Sequence, residues 1–272
     1  MSTRIRMGAA LAAGLALAAS PALAHDPWEF ASGGDDSNTS RLSIGTGSVQ
    51  VHDLDQTGTG NDVDWIGVPT LARHSYEARV SNTGVNFDFG ACPGCAQLER
   101  VSSAGAILTE DVATVNEGTG ITLEPYDRSI RWIASSNTLS EFVRVTGGQG
   151  VTEDANHVYT LRFWDTTYSI PRWNNSGAQS TVILVTNLTQ ATVTVTIHFY
   201  SSTGALLTSN TVSVAQNGLS VLNTSSLAPL AGQSGHAHVV HTAGYGGLTG
   251  KAVSLEPTTG FTFDTAMTPI EQ

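Results

Sequence analysis

Residues 192–200 read Thr-Val-Thr-Val-Thr-Ile-His-Phe-Tyr. Val193, Val195, Ile197 and Phe199 take every second position, and Thr192, Thr194, Thr196, His198 and Tyr200 take the positions between. A period of two puts the apolar set on one face of an extended strand and the polar set on the other. A helix cannot use this pattern, because its apolar stripe recurs with a period of about 3.6 residues. No segment of the mature chain carries such a stripe, so few helices are expected.

Strand signals of the same kind recur along the chain. They are expected at residues 42–44, 63–68, 75–80, 97–101, 130–134, 141–145, 159–164, 181–186, 205–214, 219–222, 237–241, 251–255 and 261–263. Turn sequences such as Asn187-Leu-Thr-Gln190 and Ser201-Ser-Thr-Gly204 separate them. Short strands at this spacing predict an all-β chain built as β-sandwiches.

The first 24 residues carry a different signal. Arg4 and Arg6 precede an apolar run from Met7 to Ala19, and Pro21-Ala22-Leu23-Ala24 ends it with an A-x-A site. That layout is a secretory signal peptide, with an apolar run too short to span a bilayer. An exported mature chain beginning at His25 is expected in the periplasm, outside the cell or on its surface, with no transmembrane segment. Its ten basic groups face 23 acidic ones. Such a balance argues against nucleic acid and anionic membranes as partners.

Composition shifts near residue 167. From Pro171 to Gln272 only Arg172, Lys251, Glu256, Asp264 and Glu271 are charged. A boundary at Asp165–Tyr168, with a short linker, predicts two domains that pack together.

Two stretches resemble known families. Asn61-Asp-Val-Asp-Trp65 followed by Ser75-Tyr-Glu-Ala-Arg-Val80 is similar to the opening of a bacterial pre-peptidase C-terminal (PPC) domain. Phe142-Val-Arg-Val145 followed by Tyr159-Thr-Leu-Arg162 resembles its closing strands. This likeness covers roughly residues 45–166, after an N-terminal segment at 25–44. Residues 165–176 and 244–253 resemble a second sandwich that trails PPC-like modules in secreted bacterial proteins, covering roughly 167–266 of a domain placed at 167–272. The resemblances imply a jelly-roll-like sandwich followed by an immunoglobulin-like one. They imply an accessory role and no catalytic residues.

The strongest metal signal is Asp53-Leu-Asp55-Gln-Thr57-Gly58-Thr-Gly-Asn61-Asp62-Val-Asp64. Asp53, Asp55, Thr57, Asn61 and Asp64 supply oxygens at positions 1, 3, 5, 9 and 12, with glycine at 6. That spacing suits calcium, although the last ligand is Asp rather than a bidentate Glu; a plain acidic turn is the competing reading. His25, as the terminal residue, offers an amine and an imidazole to copper, provided a second histidine joins it. His236-Ala-His238 places two rings on one face of a strand, with His241 nearby, a pair that zinc or copper uses only with further ligands. Cys92-Pro-Gly-Cys95 has the spacing of a redox motif, but among strands and in an exported chain a structural disulfide is the expectation.

No nucleophile elbow, zinc-protease motif or phosphate-binding loop occurs in the sequence. A carboxylate pair for glycoside hydrolysis leaves no sequence signature. Trp132, Trp164 and Trp173 suit packing, or else a sugar-stacking platform. The expected function is a non-catalytic secreted binding, adhesion or accessory protein, facing an extracellular polymer, glycan or protein, with calcium bracing its first sandwich if the acidic segment is a metal loop rather than a plain turn. The alternative is an exported copper-binding protein or oxidase built on His25.

Overall fold

A computed structural model describes residues 42–54, 63–81, 97–110, 128–146 and 158–270. Within them the chain is all-β. The first eight strands are β1 (Val49–Asp53), β2 (Val63–Gly67), β3 (Ser75–Ser81), β4 (Gln97–Ser102), β5 (Ile107–Glu110), β6 (Arg128–Ile133), β7 (Glu141–Thr146) and β8 (Val158–Asp165). The rest are β9 (Tyr168–Asn174), β10 (Ser180–Asn187), β11 (Val193–Ser201), β12 (Leu206–Val214), β13 (Leu219–Asn223), β14 (Ser234–His241), β15 (Leu248–Glu256), β16 (Phe261–Ala266) and β17 (Thr268–Pro269). Two single 3-10 turns, Thr224–Ser226 and Ala228–Leu230, are the only helical elements among the described residues.

The strands form four antiparallel sheets, ordered β1-β8-β3-β6, β2-β7-β4-β5, β12-β11-β14-β9-β17 and β13-β10-β15-β16. No sheet mixes strands from before and after Thr166 and Thr167. The arrangement is consistent with two β-sandwiches, each with its own core.

In the first core Tyr76, Trp132 and Phe163 stack with ring centroids 5.4–5.9 Å apart. Ile66, Leu98, Val143 and Val145 belong to the same buried cluster. In the second, Val193, Val195, Ile197 and Phe199 are all buried, as their alternation predicts. Trp173 is fully buried edge-on to Phe199, and its indole N–H donates to the His236 carbonyl at 2.9 Å.

Charge in the first sheet pair is held by matched partners. Glu99 lies opposite Arg144 in the β4–β7 ladder and accepts from its Nε at 2.8 Å. Arg100 clamps Glu141 with two hydrogen bonds of 2.8 Å. Each arginine also covers an indole: Arg144 lies 5.0 Å from the Trp65 ring and Arg100 5.1 Å from that of Trp132. Burial of these carboxylates is tolerable because the guanidinium satisfies them bidentately or at close range.

Four strands depart from the sequence expectation: β1, β5, β9 and the two-residue β17. β9 contains Pro171, which reads as a strand breaker. Its pairing with β14 runs Ile170↔Ala237 and then Trp173↔Gly235, so Pro171 and Arg172 together face the single residue His236. The proline occupies a bulge, where no ladder donor is required. β1 runs straight into the acidic segment and carries His52 and Asp53, which mask its β pattern. β5 is only four residues long. In the reverse direction, the strand expected at 42–44 is reduced to an isolated parallel bridge, Ser43↔Gly67.

A buried asparagine organises one end of the second core. The Asn187 amide donates to the carbonyls of Ala191, Val214 and Ala215 at 2.7–3.1 Å, and its oxygen accepts from the Thr189 backbone N–H at 2.9 Å. Replacing Asn187 with Ala strands these buried groups. The expected cost is about 2–3 kcal/mol of unfolding free energy by urea titration; a loss near zero contradicts the reading.

Candidate functional site

The densest gathering of ionisable side chains outside the ion pairs lies where the two sheet pairs meet. Pairing in the β11–β14 ladder sets His198 opposite His238 and Tyr200 opposite His236. Side chains directly opposite share a face, so all four rings project together. The Tyr200 ring stacks on His236 at 5.2 Å and 8°, and lies 5.1 Å from His238. His236 and His238 are 5.5 Å apart. The close fit at this end of the ladder requires Gly235: a Cβ there would sit 1.9 Å from the Tyr200 carbonyl oxygen.

The first sheet pair supplies the opposing wall. His74 meets His238 edge-on at 5.5 Å. Its Nδ1 donates to Asp165 Oδ2 at 2.6 Å. Arg73 precedes it with φ of 62°, a left-handed conformation that is uncommon for a non-glycine residue. Burial lowers the pKa of His238 to about 4, helped by the neighbouring charge of His74 and His236 and opposed by Asp165. Burial and then the charges of Arg73 and His74 also lower that of His198, whose Nδ1 lies 2.7 Å from the Ser209 hydroxyl. These imidazoles are therefore neutral near pH 7.

Below this cluster the connection between the sheet pairs is buried and fully hydrogen-bonded. Thr166 N–H donates to the Ser75 carbonyl at 2.8 Å, and Ser75 N–H to Thr167 Oγ1 at 2.9 Å. Thr167 N–H donates to Asp165 Oδ1 at 2.9 Å. His241 is buried; its Nε2–H donates to the Thr166 carbonyl at 2.8 Å while its Nδ1 accepts from Ala243 N–H at 3.1 Å. That pair of bonds selects one neutral tautomer. Burial holds the His241 pKa down to about 4. On the far side, Tyr245 N–H donates to Glu77 Oε2 at 2.6 Å, Glu77 also holds Arg131 at 3.3 Å, and Tyr245 stacks on Trp164 at 5.5 Å.

The sequence-derived candidates divide accordingly. His236 and His238 do share a strand face, joined by His198 and Tyr200 and faced by His74. His241 points the opposite way, into the junction. Trp132 and Trp173 are core residues, and Trp164 packs between the sheet pairs. Asp53 and Asp64, the two ends of the acidic segment, are both buried, and Asp64 accepts a short hydrogen bond from the Tyr159 hydroxyl. His52 stacks on that same tyrosine at 5.4 Å. Asp55, Thr57 and Asn61 lie outside the described residues, as do His25, Cys92 and Cys95. Among the described residues no three His, Cys, Asp or Glu side chains are grouped to hold a metal ion. Sequence places His198 as an outward residue of its strand and offers it, like His74, only as one of several histidines that could join His25; Asp165 marks the domain boundary, and Arg73 carries no signal. Tertiary packing alone brings Arg73, His74 and Asp165 to the site.

Glu77 ties the two sheet pairs to each other through one carboxylate. Replacing it with Ala is expected to cost about 3 kcal/mol in a urea titration, since Arg131 and the Tyr245 N–H lose a shared buried acceptor. A variant as stable as the parent contradicts this role.

No known family profile matches the chain, and neither does any curated protein. Among solved structures, a calcium-binding mutant of Bacteroides uniformis beta-glucuronidase 2 is similar at 11% identity, covering 79% of this chain and 27% of that one, with a TM-score of 0.18. The same enzyme covalently bound to cyclophellitol-6-carboxylate aziridine is similar at 12% identity, covering 75% and 26%, with a TM-score of 0.16. The chain thus spans about a quarter of the length of these structures.

Proposed function

We propose that this is an exported, non-catalytic binding or accessory protein. In this reading a jelly-roll-like, PPC-like sandwich and an immunoglobulin-like one act as a single body toward an extracellular polymer, glycan or protein. The observation that carries the reading is how the buried ionisable groups are used. Glu99 is committed to Arg144, Glu77 to Arg131 and Tyr245, His74 to Asp165, and His241 to Thr166 and Ala243. Each serves packing or connection, which is what a scaffold for binding requires.

The face offered to a partner is the outer side of β11 and β12. There Thr194, Thr196 and His198 oppose Ser213, Thr211 and Ser209, with Thr196 and Thr211 hydroxyls 2.9 Å apart. A hydroxyl-lined face beside the Tyr200 ring suits a polar, neutral chain such as a glycan, through hydrogen bonds and ring stacking.

Binding is measured by pull-down of the purified protein on insoluble polysaccharides, alongside assays for their breakdown. Retention that falls at least tenfold when Thr196 and Thr211 are both replaced with Glu supports the reading. Breakdown of the polymer, abolished by a single carboxylate or histidine substitution, overturns it.

Calcium is the cation this reading assigns to Asp53, Asp55, Thr57, Asn61 and Asp64. Its support is the oxygen spacing and the placement of Asp53 at the end of β1 and Asp64 within β2, strands of two different sheets that a filled loop would tie to each other. Adding millimolar calcium to chelator-treated protein is expected to raise the melting temperature by several degrees, and to do so no longer after Asp55→Ala. An unchanged melting temperature in the parent protein removes calcium from the account.

A further inference from the structure

The histidine cluster faces the first sheet pair with a particular charge pattern. From the second sheet pair come His198 and Tyr200 on β11 and His236 and His238 on β14, while Ser209 on β12 and Ser169 on β9 lie opposite His198 and His238. From the first come the Arg73 guanidinium, the His74 ring and Asp165 at the end of β8. Asp165 is the one carboxylate among these groups, and it already accepts from His74 and from Thr167 N–H. Arg131 on β6 adds to the positive field at His241 nearby. A proton added to His198 therefore meets the field of Arg73, one added to His238 sits at ring-to-ring distance from His74, and the nearest counter-charge, Asp165, is already engaged.

We propose that this junction is a pH-operated latch: protonation of His198 and His238 sets positive charge beside Arg73 and against the His74 ring, with no free carboxylate among these groups to receive it, and releases the two sheet pairs from one another, while each keeps its own fold. Separate opening is available to this chain because every strand pairs within its own half and the two hydrophobic cores share no residue. Among the described residues the contacts that join the halves include the Thr166 and Thr167 connection, the Glu77–Tyr245 and His241–Thr166 bonds, and the Trp164 and His74 ring contacts. All of these are local and few enough to break as a unit.

The direction follows from linkage. His238 is neutral when latched, with a pKa of about 4, and moves up toward its ordinary value of 6.5 as the junction opens to water, His236 and His198 remaining beside it; the full recovery sets the upper bound of the effect. Above both values the latch is indifferent to pH. As pH falls below about 6.5 the open form takes up the proton first, and closure weakens steadily until the latched form is protonated near pH 4. Between pH 7.5 and 5.5 this one residue shifts the opening equilibrium by about tenfold. His198, shifted the same way, adds to it.

The test is amide hydrogen exchange on the intact chain at pH 7.5 and 5.5, corrected for the intrinsic pH dependence of exchange. The Tyr245 amide, bonded across the junction to Glu77, reports opening. The amides of Ala78 in β3 and Ile183 in β10, bonded within their own sheets, report unfolding of either half. The expected result is a fall in Tyr245 protection of about tenfold or more, with Ala78 and Ile183 unchanged, and a much smaller fall in the double variant H198Q/H238Q. Unchanged Tyr245 protection in the parent protein overturns the proposal, as does loss in step with the core amides. An equal fall in the double variant also overturns it, because that assigns the effect to another group such as Glu77. Should the double variant not fold, the parent protein's junction and core amides still decide between the first two results and the expected one.

Discussion

A chain that crosses from one sheet pair to the next within two residues must bury backbone polar groups, and each of these needs a partner. Here Asp165, Thr166 and Thr167 meet that demand. Ser75 satisfies Thr166 and is satisfied by Thr167; Asp165 caps Thr167 and orients His74; the carbonyl of Thr166 receives His241. Short polar side chains are suited to the task, because hydroxyls and a carboxylate reach backbone groups one or two residues away without filling space. The consequence is a two-part molecule whose halves are oriented by hydrogen bonds rather than by a continuous apolar interface. The rest of the junction, including the imidazole cluster above it, depends on that orientation.

The two halves solve the burial of polar groups differently. The first uses full charges in matched pairs, with Arg100 and Arg144 each shared between a glutamate and an indole. The second uses neutral side chains. Asn187 gathers three carbonyls, and Thr181 and Thr224 bridge β10 to its neighbours through Asn174 and Asn175. The scarcity of charge after residue 170 thus has a structural counterpart: hydroxyls and amides take over the bonding that ion pairs perform in the first half. It also leaves the outer face of β11 and β12 hydroxyl-lined, which is the ground for reading it as a surface for a polar, uncharged partner.

How far the sequence shows this depends on the range of the interactions. β11 is legible to within a residue because its alternation records one buried and one solvated face, a purely local property. β9 is not, since Pro171 is a breaker everywhere except in a bulge, and the bulge exists only because β14 lies beside it. β1 is concealed by His52 and Asp53, polar residues that are buried through contacts with distant Tyr159 and its surroundings. The candidate site follows the same rule. The spacing of His236 and His238 is enough to put them on one face, but His74 and Asp165 are separated by 91 residues. Nothing local in either sequence neighbourhood announces their meeting.

The binding function and the latch both presuppose that at neutral pH the two halves move as one. The most direct test is backbone nitrogen-15 relaxation on the whole chain at pH 7.5, comparing amides of residues 63–165 with those of 168–266. The account predicts one rotational correlation time for both sets, as expected of a single rigid body held at Asp165–Thr167. Two distinct correlation times, each matching a separately tumbling half, would contradict it.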